Sequence, residues 1–406
     1  MSKTSCKQAG PLQAIILLLP CTLAVMGTVV LAPVLPMLQD HFAGVPGARY
    51  WVPMILTVPA MVQVLFLPLA GVAADIFGRR KLLLIAMLLY AIVGVAPLAL
   101  DRLTSILISR VVVGVLESFI LTVSTTLIGD FFKGAARDKW LAYQTAIASV
   151  SAVCFIFLGG LLGIFGWRGP FVLYGSAALL LGAVALFTWE PEPESEPEEA
   201  AGPAPSTRFP FRKMLGICAI TLFVSTMFFV VQLELPFGLR DHGVSDPVRI
   251  GTLTAIASIF VPIGSFVFMR LSRRLSVSAL LFVELVILAT GFVGMGLAPG
   301  FEGLVAAAAL NQIGAGMSFP TLLTWAMRGL AYEWRGRGTG LWQGANATGQ
   351  FLTPLVMTLV AGHVGGLFPA FVAVGIACAG AAVLAAFASM KRGIMAPPRS
   401  NLGLTV

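Results

Sequence analysis

The chain has 406 residues, 58% of them hydrophobic and only 11% charged, with a formal net charge of +8. A soluble globular domain carries about 25% charged residues, so this composition excludes an ordinary soluble fold. The 26 Lys and Arg fall in short clusters between apolar runs, with no basic groove and no interleaved aromatics; that excludes a nucleic-acid partner and marks them as topology determinants.

The apolar runs are about 20 residues long, enough to cross a hydrocarbon core at about 1.5 Å of helix rise per residue. Six are predicted in the first half of the chain, over 12–36, 50–72, 82–100, 104–128, 140–164 and 169–189. Six more follow, over 213–236, 250–269, 276–297, 303–327, 339–361 and 365–389. The fold class is therefore all-α, a polytopic membrane protein of twelve transmembrane helices. In the first run, Leu18-Leu19-Pro20-Cys21 sits where a leader would be cleaved, yet apolar sequence continues well beyond it, so a retained first span is expected.

With the N-terminus cytoplasmic, twenty Lys and Arg fall in cytoplasmic segments and five in outer ones, leaving Arg110 inside a span. That bias predicts a multi-pass protein of a bacterial-type inner (plasma) membrane with both termini cytoplasmic. Residues 190–212 open with the run EPEPESEPEEAAGPAP, too poor in apolar side chains to fold, and are expected to be a disordered cytoplasmic linker. The linker divides the chain into an N-terminal six-helix half, 1–189, and a C-terminal six-helix half, 213–406. The halves echo each other: Leu35-Pro36 with Asp40-His41 returns as Leu235-Pro236 with Asp241-His242, and Gly71 with Arg79-Arg80 returns as Gly264 with Arg273-Arg274. Parallel repetition of this kind is what transporter halves related by an axis along the membrane normal leave in a sequence.

Cys6, Cys21, Cys154, Cys218 and Cys378 are scattered with no CxxC pair, so neither a disulfide nor a zinc or redox role is expected. His41, His242 and His363 lie at outer loops without metal spacing, and no nucleotide loop, Ser/His/Asp order or cofactor motif is present. No metal, no cofactor and no enzymatic activity are expected.

After the second span comes Gly71-Val72-Ala73-Ala74-Asp75-Ile76-Phe77-Gly78-Arg79-Arg80-Lys81. Gly71 permits close helix approach, Gly78 turns the chain, and Asp75 can meet an arginine or a helix N-terminus. The segment resembles the loop G-x-x-x-D-x-x-G-R-R/K of the major facilitator superfamily at every defining position. Leu107-x-x-x-Arg110-x-x-x-Gly114 resembles that family's fourth-helix motif, and Trp167-Arg168 with Phe171 its fifth-to-sixth connection. Arg337-Gly338-x-Gly340-Leu341 followed by Gly349-Gln350-x-x-x-Pro354 resembles the eleventh helix of its drug:proton antiporters. Arg110-x-x-x-Gly114-x-x-Glu117 also resembles the fourth helix of spinster-type members, where both charges belong to the transport site. Two positions depart from the drug exporters: Phe155-Ile156 stands where a Gly-Pro pair precedes Gly159-Gly160, and the first span has no acid. The resemblance implies that helices 1, 4, 7 and 10 line a central cavity about which the halves rock. It also implies that Gly71, Asp75, Gly78, Arg79 and Arg80 form a conformational latch.

A charge in mid-membrane costs at least about 2.5 kcal/mol and calls for a reason. Arg110 and Glu117 are about 10 Å apart along one helix and share a face with Gly114, leaving a gap that suits a substrate, a water or a residue from a neighbouring helix. Glu117 lies halfway through its span, where desolvation favours the protonated acid and equips it to carry a proton. Glu284 is central in the ninth span, where a structural hydrogen bond is expected. Glu234, beside Gln232 on the seventh span, lies at the outer interface of a cavity helix. Asn311, Gln312, Gln343, Asn346 and Gln350 are further polar candidates for the cavity, and Met26, Phe228, Phe229 and Trp325 for its apolar wall.

The expected activity is secondary active transport by alternating access, a proton-coupled export of a small amphipathic or lipophilic organic solute. One alternative is an organic-anion or metabolite carrier with Arg110 as the anion site; another is a membrane sensor or assembly factor that does not transport. The expected partners are the solute, protons and the lipid bilayer, and the chain is expected to be a monomer.

Overall fold

The computed structural model describes residues 9–190, 209–328, 330 and 334–391; most of the sequence-predicted linker, residues 191–208, lies outside the described residues. Among the described residues, ten helical spans are long and apolar enough to cross a membrane. In chain order they are Pro11–His41, Ala48–Phe77, Arg79–Leu98, Leu103–Phe131, Gly134–Phe165, Gly169–Phe187, Phe211–Asp241, Pro247–Leu271, Val277–Gly296 and Leu367–Phe387. Two further helices of spanning length, Phe301–Met327 and Arg335–Val364, stand in the tenth and eleventh places and are richer in polar residues. Several helices extend beyond the apolar runs that predict them, because a regular helix satisfies its own backbone and need not end where the hydrocarbon does.

Local sequence explains the irregularities. The first span breaks at a 3-10 turn, Ala32–Val34, and restarts as Leu35–His41 with Pro36 in its first turn. Its counterpart Pro236 is instead carried inside the continuous helix Phe211–Asp241, so the repeated Leu-Pro is not used alike in the two places. Gly78, with φ of +87°, turns the chain between the second and third spans in a conformation that side chains rarely adopt.

The chain divides into two compact units, Met1–Arg208 with Asp246–Thr252, and Phe209–Ser245 with Leu253–Val406. Within the first unit the fourth span packs against the first, second and third, the first against the fifth, and the third against the sixth. Within the second unit the same pairings recur six spans later: the tenth against the seventh, eighth and ninth, the seventh against the eleventh, and the ninth against the twelfth. Contacts between spans are backbone-close where glycine allows it. A Cβ on Gly316 of the tenth span would collide with the Val261 carbonyl of the eighth, and one on Gly264 with the Ile313 carbonyl.

Candidate functional site

The fourth span carries two charges into the interior of the first unit: Arg110 is 0% and Glu117 1% exposed. Arg110 is held by backbone and aromatic rings. Its Nη2 donates to Gly94 O at 3.0 Å and to Val93 O at 3.4 Å, and its Nε lies 3.3 Å from Ser109 Oγ. Its guanidinium carbon stands 4.6 Å from the centre of the Tyr174 ring and 5.1 Å from that of Phe171. Glu117 faces the other way, towards the first span. A Cβ on Gly27 would overlap Glu117 Oε1, so the missing side chain at Gly27 is what admits the carboxyl. The same oxygen lies 3.4 Å from the Tyr90 hydroxyl, which is 2.9 Å from the carbonyl oxygen of Leu23.

Two tyrosines therefore fill the interval between the charges. Tyr90 and Tyr174 are both fully buried, with ring centres 5.5 Å apart, and they connect Glu117 to Arg110 through the third and sixth spans. Sequence reasoning missed both, because spacing along one helix says nothing about which neighbour enters a gap. Gly114 does not line that gap. A Cβ there would lie 2.5 Å from the Pro59 carbonyl, so this glycine serves the close packing of the second and fourth spans. Gly94 has the matching role opposite Tyr174, whose Cβ would stand 2.5 Å from a Gly94 side chain.

The loop after the second span forms a cluster of its own. Arg79 pairs with Asp75 at 3.2 Å and also with Asp130 at the end of the fourth span. Glu190, expected to begin the disordered linker, instead caps the third span: its carboxylate accepts from Arg79 N at 2.6 Å and from Arg80 N at 3.0 Å. A carboxylate is favoured there because the helix N-terminus presents unpaired N–H groups and the positive end of the dipole. Arg80 Nη2 donates to Ala185 O at 2.6 Å, tying the same loop to the sixth span. At Gly71 a Cβ would meet no atom within 4 Å, so the close helix approach expected of it is not made among the described residues.

In the second unit, Gln232 of the seventh span donates through Nε2 to Gln312 Oε1 of the tenth at 3.1 Å, and Asn311 Nδ2 donates to Leu288 O at 3.1 Å. Asn311 and Gln312 are fully buried and face different neighbours, because adjacent residues on a helix do not share a face. On the eleventh span Gln350 is buried, Asn346 half-buried and Gln343 exposed, so the three do not form one polar wall. The Asn346 backbone carbonyl accepts from Ser225 Oγ at 2.6 Å. Phe228 and Phe229 are half-buried with ring centres 4.9 Å apart, Trp325 is half-buried, and Met26 is fully buried inside the first unit. Glu234 is half-buried. Glu284 is 0% exposed, and the hydrogen bond expected of it is not formed: neither carboxyl oxygen has a partner among the described residues. Its polar neighbour Thr321 gives its proton to Met317 O, at 2.8 Å. No group of three or more His, Cys, Asp or Glu that might hold a metal occurs among the described residues.

The chain is 28% identical over 231 residues to multidrug resistance protein 1 of Bacillus subtilis (strain 168), covering 56% of this chain and 58% of that one. It thus spans little more than half of that relative's length. To the bacillibactin exporter of the same organism it is 26% identical over 346 residues, covering 82% of this chain and 85% of the relative. Among solved structures it is similar to a bacterial homolog of the human lysosomal transporter spinster. There the TM-score is 0.75 and the identity 18%, over 93% of this chain and 96% of that one. A family profile described as Major Facilitator Superfamily matches residues 17–333 and 241–402. With that match running along nearly the whole length of an all-helical, multi-pass membrane protein, the chain belongs to the major facilitator superfamily.

Proposed function

We propose that this protein is a proton-coupled exporter of a small amphipathic or lipophilic organic solute, working by alternating access. The observation that carries the reading is Glu117: a carboxyl 1% exposed, in the middle of a spanning helix, with a tyrosine hydroxyl and a nearby arginine for neighbours. A carboxyl so placed has no role in packing that glutamine or leucine would not fill, whereas it can take up and release a proton once per cycle. Relatives named for multidrug resistance and for bacillibactin export support the outward direction. The scarcity of charge on the spans supports a solute that is itself mostly apolar.

Arg110 works here as a positioning group, not as the anion site of an organic-anion carrier. Its guanidinium is fully buried, hydrogen-bonded to the third span and stacked on Tyr174, which holds its charge at a fixed distance from Glu117. The loop at Asp75, Gly78, Arg79 and Arg80 acts as a latch at the cytoplasmic surface, and the termini lie on that same side, as the Lys and Arg bias indicates.

The test is solute flux in proteoliposomes across a small panel of lipophilic cations, amphipathic neutral compounds and organic anions, with and without an imposed pH gradient. Gradient-dependent accumulation of an amphipathic compound is the expected result. Accumulation confined to organic anions would favour the carrier reading instead, and no flux of any compound under any gradient would leave the non-transporting reading.

A further inference from the structure

The Tyr90 hydroxyl has one proton and two oxygens that want it. Leu23 O, 2.9 Å away, is a backbone carbonyl of the first span and can only accept; Glu117 Oε1, 3.4 Å away, accepts when ionised and donates when protonated. If the phenolic proton points at Leu23 O, the phenol oxygen can meet Glu117 only as an acceptor, and the carboxyl must supply the hydrogen. If Glu117 is ionised, the phenolic proton turns to the carboxylate, the stronger acceptor, and Leu23 O loses this second bond while keeping the helical one from Gly27 N.

We infer that Tyr90 is a one-proton switch that couples the protonation of Glu117 to the first span. The inference rests on the reading of Glu117 as the proton carrier and adds the route by which that proton is felt elsewhere. In the protonated state the chain of bonds runs from Glu117 Oε1–H to Tyr90 O, and from Tyr90 O–H to Leu23 O. When the Glu117 proton departs to water, the Tyr90 O–H rotates to Glu117 Oε1; Tyr90 neither gains nor loses a proton, and the tie between the third span and Leu23 O of the first is broken.

The receiving segment is suited to respond. Leu23 and Gly27, one turn apart, are points at which the first span meets this group. They lie between Pro20, which interrupts helix hydrogen bonding, and the 3-10 turn Ala32–Val34. The titratable and charged groups around the carboxyl are Tyr90 from the third span, which bonds to it, and beyond that Tyr174 from the sixth and Arg110 from its own helix. The first span meets the carboxyl at Gly27 and the phenol at the Leu23 carbonyl, so Tyr90 is the hydrogen-bonding group that links the charge of Glu117 to that span.

Infrared pH-difference spectra of the reconstituted full chain test the inference without any solute. The wild type should show a protonated-carboxyl C=O band that is absent in Glu117→Gln. A tyrosine C–O feature should appear with it, as the hydroxyl changes from donor to a carbonyl to donor to a carboxylate. In Tyr90→Phe the tyrosine feature should vanish, and the acid band should move to higher wavenumber, since the carboxyl has lost the oxygen it bonds to. If the wild type and Glu117→Gln spectra are identical, Glu117 carries no proton, and the proposed coupling fails along with the switch. If the Glu117 band is present but no tyrosine feature accompanies it, or the band is unmoved in Tyr90→Phe, the switch alone is wrong. Should Tyr90→Phe not fold, loss or persistence of the tyrosine feature in Glu117→Gln decides the matter in the same way.

Discussion

Arg110→Lys keeps the charge in the first unit and discards the planar fork. In the structure Nη2 reaches Gly94 O at 3.0 Å and Val93 O at 3.4 Å, Nε reaches Ser109 Oγ at 3.3 Å, and the guanidinium carbon stands 4.6 Å from the Tyr174 ring centre. A hydrogen bond from a charged donor contributes about 1.5–3 kcal/mol, and a desolvated cation–π contact about 2 kcal/mol. A lysine ammonium can stand in for Nη2 but cannot also supply the Nε bond to Ser109 and the contact with the Tyr174 ring, so Arg110→Lys should lose about 2–3 kcal/mol of stability. Arg110→Ala removes every one of these contacts and empties a buried volume, for an expected loss of about 3–5 kcal/mol. Equilibrium unfolding in mixed micelles, followed by circular dichroism, measures both. An Arg110→Lys protein within about 0.5 kcal/mol of wild type, the range of an inert surface change, would refute the claim that the guanidinium shape holds this cluster together.

At the cytoplasmic loop, Asp75→Asn and Arg79→Ala should slow transport cycling while solute affinity stays within tenfold, about 1.4 kcal/mol, of wild type. Binding and turnover assays separate the two, and a larger loss of binding with unchanged turnover would contradict the latch. Added protease should cleave within residues 191–206 in inside-out vesicles and spare them in right-side-out ones; the reverse pattern would invert the proposed orientation.

The spans were legible because apolar length is a one-dimensional property: each predicted run has its helix, including the two polar ones, Phe301–Met327 and Arg335–Val364. The buried charges were legible for the same reason, since Arg110 and Glu117 stand out against apolar neighbours wherever the helices pack. What surrounds them was not. Tyr90 and Tyr174 lie 27 and 57 residues from Glu117 in sequence, and a tyrosine in a span reads equally well as an interface anchor or as packing. The helix pairing that turns Gly114 towards Pro59 is likewise a property of two helices together, invisible in the periodicity of either. Glu190 was hidden by its company: it opens an acidic, proline-rich run, and only the fold brings the start of that run to the third span's N-terminus.

The central claim is that Glu117 couples solute movement to protons. Glu117→Gln preserves the size of the side chain and fixes it in the neutral form. In proteoliposomes, with a transported solute from the panel, this variant should fail to concentrate solute under a pH gradient while still exchanging it down its own gradient. If Glu117→Gln accumulates solute against its gradient at the wild-type rate, Glu117 is not the coupling group, and the proton carrier must be sought at Glu234 or Glu284.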